Sequence, residues 1–332
     1  MRLTSALFLY AGLAVASAAT DPKLLLIEQQ LSGFDDKAYA LAIEQTLAEH
    51  ESRTGLNFKP TVLRKCGLKV SSDSGPGLAT SKSLVRALSA ALIRRGFTQK
   101  SIIICDAHPE SLRQAGFLPP LSSDEQTFEG FPVQAWDTFA PSWAKEPALR
   151  YENQVLPRPG AQNVPWGDAR VSILPKTLVD TVDFWINLPV LSDSKSLGVH
   201  GAMASASLGN MANAERFLEN PYNASKAAVE VCAIPKLANR NVLNILSLEH
   251  YQVLGGPTFD ASWVRSEKVL LASANPVIID FIGLLKINAG RARSGVQTIH
   301  PEPPIFSAAN AGEIRLGTCR PSDITRVQLA AP

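Results

Sequence analysis

Apolar residues along this chain gather into short unbroken runs and into stripes of helical spacing, and the two kinds of segment alternate. Leu24 to Ile27 predicts a short buried strand, followed by a helix that Asp35 or Asp36 caps and that carries Tyr39, Ala42, Ile43 and Leu47 on one face. Thr61 to Val70 reads as a second strand and Ser71 to Gly77 as a loop. A helix capped by Thr80 comes next, with Leu84, Val85, Leu88, Ala91 and Leu92 as its buried stripe. Arg94, Arg95 and Gly96 close it, because a basic last turn suits the helix dipole and glycine supplies the left-handed cap. Ser101 to Cys105 is continuously apolar, as a parallel strand covered on both faces must be.

The second half repeats the alternation. Val182 to Val190 and Val242 to Leu248 read as strands, with helical segments at Ala224 to Val231 and Pro235 to Asn239 between them. A Gly255-Gly256-Pro257 turn leads to a strand at Val269 to Ala272. Asn275-Pro276 then opens a helix that is apolar nearly all round and therefore buried. The pattern predicts an α/β fold, a mixed or mostly parallel sheet covered by helices. Asp137 to Asp168, rich in Pro, Gly and Trp, predicts an irregular central insertion, and a sub-domain excursion over residues 131–170 is one reading of it.

With 332 residues, 45% of them hydrophobic and 19% charged, the chain can bury a large core and falls outside the disordered classes. Its net charge of +2 is too balanced for a protein that grips nucleic acid through a basic face. The first residues do change the picture. Arg2, the apolar run Leu3 to Val15 and the small-residue exit Ala16-Ser17-Ala18 make a Sec-type secretory signal, without a twin-arginine pair. The expected organisation is a signal peptide over residues 1–18 and a single α/β domain over 19–332, delivered to the periplasm or the exterior. No later stretch is expected to cross a membrane, because the longest apolar run, Pro276 to Leu285, contains Asp280 and is followed by Lys286.

No cofactor can be named from motifs. Cys66, Cys105, Cys232 and Cys319 are scattered, so there is no iron–sulfur motif, and disulfides and buried free thiols both stay open. The histidines form no zinc signature, and neither a P-loop nor a dinucleotide-binding glycine pattern occurs. What remains are the loops that follow apolar strands, where open α/β sheets hold ligands. Lys69 with Gly75, Gly77 and Thr80 could hold an anion at a helix start, or could form a plain turn and cap. Asp106 and His108 follow Ile102 to Cys105 and could serve as acid and base or as metal ligands, with Asp106 as a cap for the next helix the alternative. Asp193, Lys195 and His200 lie on a Gly- and Ser-rich loop after the strand that ends at Val190. Asp280, inside its apolar helix, must be hydrogen-bonded or line a cavity.

The same segments resemble a known family. Cys66-Gly67-Leu68-Lys69-Val70, Gly75 to Thr80, Leu84-Val85, Ile102 to Asp106 and Ala115-Gly116-Phe117 are similar, in order and spacing, to the start of the domain of unknown function 362 family. Ile186 to Leu191, Gly198 to Met203, Ser207-Leu208-Gly209, Gly255-Gly256-Pro257 and Asn275 to Asp280 resemble its later motifs, so the likeness runs from about residue 62 to residue 290. The resemblance implies a protein that is often exported, sometimes joined to ferredoxin modules, and without a general assigned reaction. The chain departs from the family at Ser192-Asp193-Ser194, where Lys-Asp-His is expected, and at Met203-Ala204-Ser205, where Leu-Lys-Asn is expected. Lys69, Asp106, Asp193 and Asp280 stand at matching places. The leading expectation is a small-molecule binding or accessory protein with an anionic ligand near Lys69, the Gly75 to Thr80 loop and Lys195. The rival is a metal-assisted or redox-linked enzyme, which requires Asp106, His108, Asp193 and His200 to converge.

Overall fold

The computed structural model describes residues 20–60, 65–136, 150–157, 164, 167–312 and 314–332. The leader expected over residues 1–18, the start of the strand expected from Thr61, and much of the central insertion lie outside the described residues. In chain order the elements begin β1 (Leu25–Gln30), α1 (Asp36–Thr54), β2 (Cys66–Val70), α2 (Lys82–Arg94), β3 (Ile102–Asp106), α3 (Pro109–Gln114), β4 (Thr127–Phe128) and β5 (Phe131–Ala135). They continue β6 (Arg150–Glu152), β7 (Val171–Ile173), β8 (Phe184–Leu188), β9 (Leu191–Ser194), β10 (Gly198–His200), α4 (Ala202–Ala206), α5 (Pro221–Cys232) and α6 (Pro235–Ala238). The rest are β11 (Asn241–Ser247), β12 (Tyr251–Gln252), β13 (Val264–Arg265), β14 (Val269–Ser273), α7 (Pro276–Arg293), α8 (Pro304–Asn310) and β15 (Thr325–Leu329).

Nine strands form one mixed sheet in the order β15-β1-β14-β11-β8-β2-β3-β5-β4. Its middle, from β11 to β5, is parallel, and β14 runs antiparallel between β11 and β1. The fold is α/β. Central strands such as β2, β3 and β8 are buried at every position, which explains why they read as unbroken apolar runs. One face packs Leu68, Ile104, Ile186 and Ile245 under α1 and α2. The other packs Ile103, Trp185, Leu246 and Leu271 with residues of α4, α5 and α7. Asp35 caps α1 by accepting the Ala38 N–H at 2.8 Å, and Asn275 caps α7 by accepting the Val277 N–H at 2.9 Å. No helix among the described residues is long and apolar enough to cross a membrane.

Several expectations change. Phe131–Ala135 joins the main sheet beside β3, so the chain leaves that sheet only after it, and β6 with β7 makes a separate two-stranded sheet. The Asp193 to His200 segment is a hairpin of β9 and β10 rather than a loop, within a four-stranded sheet that includes β12 and β13. Thr80 does not cap α2: that position falls to Ser81. The Thr80 hydroxyl instead donates to the Leu188 carbonyl at 2.6 Å and accepts the Ser71 N–H at 2.8 Å, which ties the loop after β2 to the end of β8.

Candidate functional site

The carboxyl ends of β2 and β3 lie side by side, and Lys69 and Asp106 meet there. Lys69 is 2% exposed, and its ammonium lies 3.0 Å from Asp106 Oδ1. Two charges taken so far from water need close compensation, and the Asp106 carboxylate receives it on both oxygens. Oδ1 also accepts the Ala107 N–H at 2.8 Å, and Oδ2 accepts the Ser72 N–H at 2.8 Å and the Ser72 hydroxyl at 2.7 Å. Asp106 therefore neither caps α3 nor has capacity left for a metal. The ammonium, with three N–H groups, has Asp106 as its one partner among the described residues.

A cavity of about 100 Å³ opens at this pair, lined by Lys69, Ser72, Asp73, His200, Ser205 and Thr258 among others. His200 ends β10. Its Nδ1 is buried and has no hydrogen-bond partner, and burial together with the nearby Lys69 charge pushes the imidazole down to about 4. The ring is neutral at pH 7. Asp73 sits exposed at the rim, where partial desolvation, and then the Asp106 charge, raise its carboxyl above the usual range, against His108, Lys69 and a Ser111 hydrogen bond. Behind the cavity, Ser205 donates to Asn187 Oδ1 at 2.8 Å and lies 3.2 Å from the Ser71 hydroxyl.

The structure brings together three of the expected residues, Lys69, Asp106 and His200. It sets others apart. Asp193 accepts the Gly256 N–H at 2.7 Å and pairs with Arg291 at 3.2 Å, pinning the Gly255-Gly256 turn to α7. It lies on the opposite face of the hairpin from His200, because Asp193 pairs in register with Val199 and His200 with Ser192. Lys195 is exposed in the hairpin turn and does not line the cavity. His108 is exposed and does not line the cavity.

Gly75 and Gly77 form no anion cradle. A Cβ on Gly77 would lie 2.3 Å from the Phe259 ring, so that ring already fills the space in front of the glycines. The four residues of the rival enzyme reading do not converge, and no group of three or more His, Cys, Asp or Glu among the described residues could hold a metal ion. All four cysteines are free.

Sequence reasoning missed Ser72, Asp73 and Ser205. The Ser71-Ser72-Asp73-Ser74 run after a strand ending in a lysine was the available signal, since such a run places several short polar groups at a strand's carboxyl end. Asp280 accepts the Ala202 N–H at 2.5 Å and the Met203 N–H at 2.9 Å, and so caps α4, which carries Ser205. Gly201 precedes α4 because a Cβ there would lie 2.3 Å from Asp280 Oδ1.

No family model matches the sequence, and no curated protein matches it. A solved crystal structure of a protein from Thermotoga maritima is similar at 11% identity with a TM-score of 0.40, over 79% of this chain and 59% of that one. This chain thus spans about 59% of the length of that protein.

Proposed function

We propose that the chain is an exported binding protein, a divergent relative of the domain of unknown function 362 family, that holds a small anion against the Lys69 ammonium. One observation carries the reading: a lysine 2% exposed lines a cavity and spends its charge on a single carboxylate whose oxygens are otherwise saturated by neutral donors. The remaining N–H groups of Lys69 need acceptors, and in a site this dry an anionic oxygen is worth more than a water. Ser72, Ser74, Ser205 and Thr258 line the same cavity with short side chains that bear hydroxyl groups, and neutral His200 adds a ring nitrogen that has no protein partner. A volume of about 100 Å³ has room for only a few heavy atoms, which favours formate, acetate or a tetrahedral oxyanion over a nucleotide. The signal-like leader of Arg2, Leu3 to Val15 and Ala16-Ser17-Ala18 supports export.

The test is calorimetric titration of formate, acetate, sulfate and phosphate into the mature chain and into the Lys69→Met/Asp106→Asn double variant, which removes the buried charges together. Binding of one of these anions to the parent chain that weakens at least tenfold in the double variant is expected. If none of the four binds, or if affinity is the same in both proteins, the reading is overturned.

A further inference from the structure

A second cavity, of about 280 Å³, lies on the same face of the sheet at its opposite end and shares no lining residue with the Lys69 site. We infer that it is a ligand site for a compact apolar molecule carrying one neutral hydroxyl. Trp185, the second residue of β8, and Asn241, the first of β11, are direct register partners, so their side chains stand next to each other on one face. Ala206 and Leu237 close over them from the helical layer, with Val242 and Leu316 completing an apolar wall. The charged lining residues, Asp21 and Lys23, are both exposed, so formal charge stays at the mouth.

Two of the residues that line it each carry a buried polar atom without a partner. The Trp185 indole N–H is buried, on a side chain 1% exposed, and has no hydrogen-bond acceptor. The Asn241 amide nitrogen is committed to Asn244 Oδ1 at 3.1 Å, so its oxygen is the free end, and that oxygen too is buried without a donor. Buried polar groups in native proteins are almost always satisfied, and an indole N–H can only donate while an amide oxygen can only accept. A hydroxyl does both, accepting from Trp185 and donating to Asn241. A carboxylate would face the Asn241 oxygen with no proton to offer, and an ammonium would have nothing to accept from the indole. The size fits as well, since an apolar cavity of about 150 Å³ already takes benzene.

Phenol is the probe, titrated by calorimetry into the full mature chain, with toluene as the comparator of equal shape and no hydroxyl. Phenol is expected to bind at least tenfold more tightly than toluene. The Trp185→Phe variant keeps a ring and removes the donor, and should weaken phenol about tenfold while leaving toluene unchanged. The Ala206→Leu variant fills the space and should abolish both; Trp185→Phe carries the test if that variant does not fold. The inference is overturned if phenol does not bind, if toluene binds as well as phenol, or if Trp185→Phe leaves phenol affinity unchanged.

Discussion

Lys69 lies in the interior with Asp106 3.0 Å from its ammonium, and Ser72 and Ala107 hold both oxygens of that carboxylate in place. The arrangement leaves Asp73 as the ionisable group that opposes an incoming anion. Its carboxyl is raised above the usual range, so it gives up its charge at a higher pH than an ordinary aspartate. An anion in the cavity favours the protonated form further, and affinity should therefore tighten as pH falls through the Asp73 titration. Asp73→Asn removes the repulsion at every pH. At neutral pH it should tighten the anion about three- to tenfold, the scale of one charge several ångströms away at a solvated rim, and should flatten the pH profile. Calorimetry at pH 5 and pH 8 decides it, and equal affinities for the two proteins at pH 8 would remove Asp73 from the site. At this scale the sequence was informative about chemistry and silent about direction. Lys69, Asp106 and His200 were readable as strand-end groups, but Asp193 was as good a candidate until the register of β9 and β10 put it on the other face.

The short helix α4 holds Ser205 at the site, and five residues cannot secure a helix on their own. Asp280, reaching across from α7, supplies the anchor at the first two N–H groups. Burial pushes this carboxyl up to about 7, against the two hydrogen bonds that favour its charge. Because the folded-state value lies above the unfolded one, the native chain binds the extra proton between about pH 4 and pH 7, and stability is lost as pH rises through that window. His50 and His200, both lowered to about 4, act in the opposite sense, since the unfolded chain protonates them first. The comparison with Asp280→Asn isolates the carboxylate. Denaturant unfolding of the parent chain, taken relative to the variant, should show stability falling on the order of 4 kcal/mol from pH 4 to pH 7 and staying flat above. A difference that does not change over that range would show Asp280 to be charged throughout. Elements of this kind were half legible. The buried helix and its Asn275 cap followed from pattern, whereas the partner of Asp280 is a helix of small residues that carries no periodic signal. The Gly75 to Thr80 segment misled for a related reason: the ring that fills it belongs to Phe259, far along the chain.

Across the whole molecule the central sheet is less apolar than its strands suggest. Lys69, Asn187, Asn244 and Ser273 are successive register partners on β2, β8, β11 and β14, so one polar row crosses the face beneath α4 and α7. The largely apolar runs of those strands do not say which polar residues share a row; only the register aligns Lys69, Asn187, Asn244 and Ser273. Asn187 is the centre of the row. It donates to the Ala202 carbonyl at 3.1 Å and to Asn244 Oδ1 at 3.0 Å, and it accepts the Ser205 hydroxyl, joining β8 to α4 and to β11. Asn187→Leu keeps the volume but removes the side-chain donor to the Ala202 carbonyl and takes from Ser205 its anchoring acceptor. Two such losses should cost about 2–5 kcal/mol by denaturant unfolding. The anion site should weaken with it, because Ser205 would no longer be held toward Lys69. Asn244→Leu separates the two effects: it disturbs the row one strand farther away, leaves Ser205 bonded to Asn187, and should lower stability without weakening the anion. If both variants weaken the anion equally, the row acts on the site only through overall stability; if neither loses more than about 1 kcal/mol, the row is dispensable to the fold.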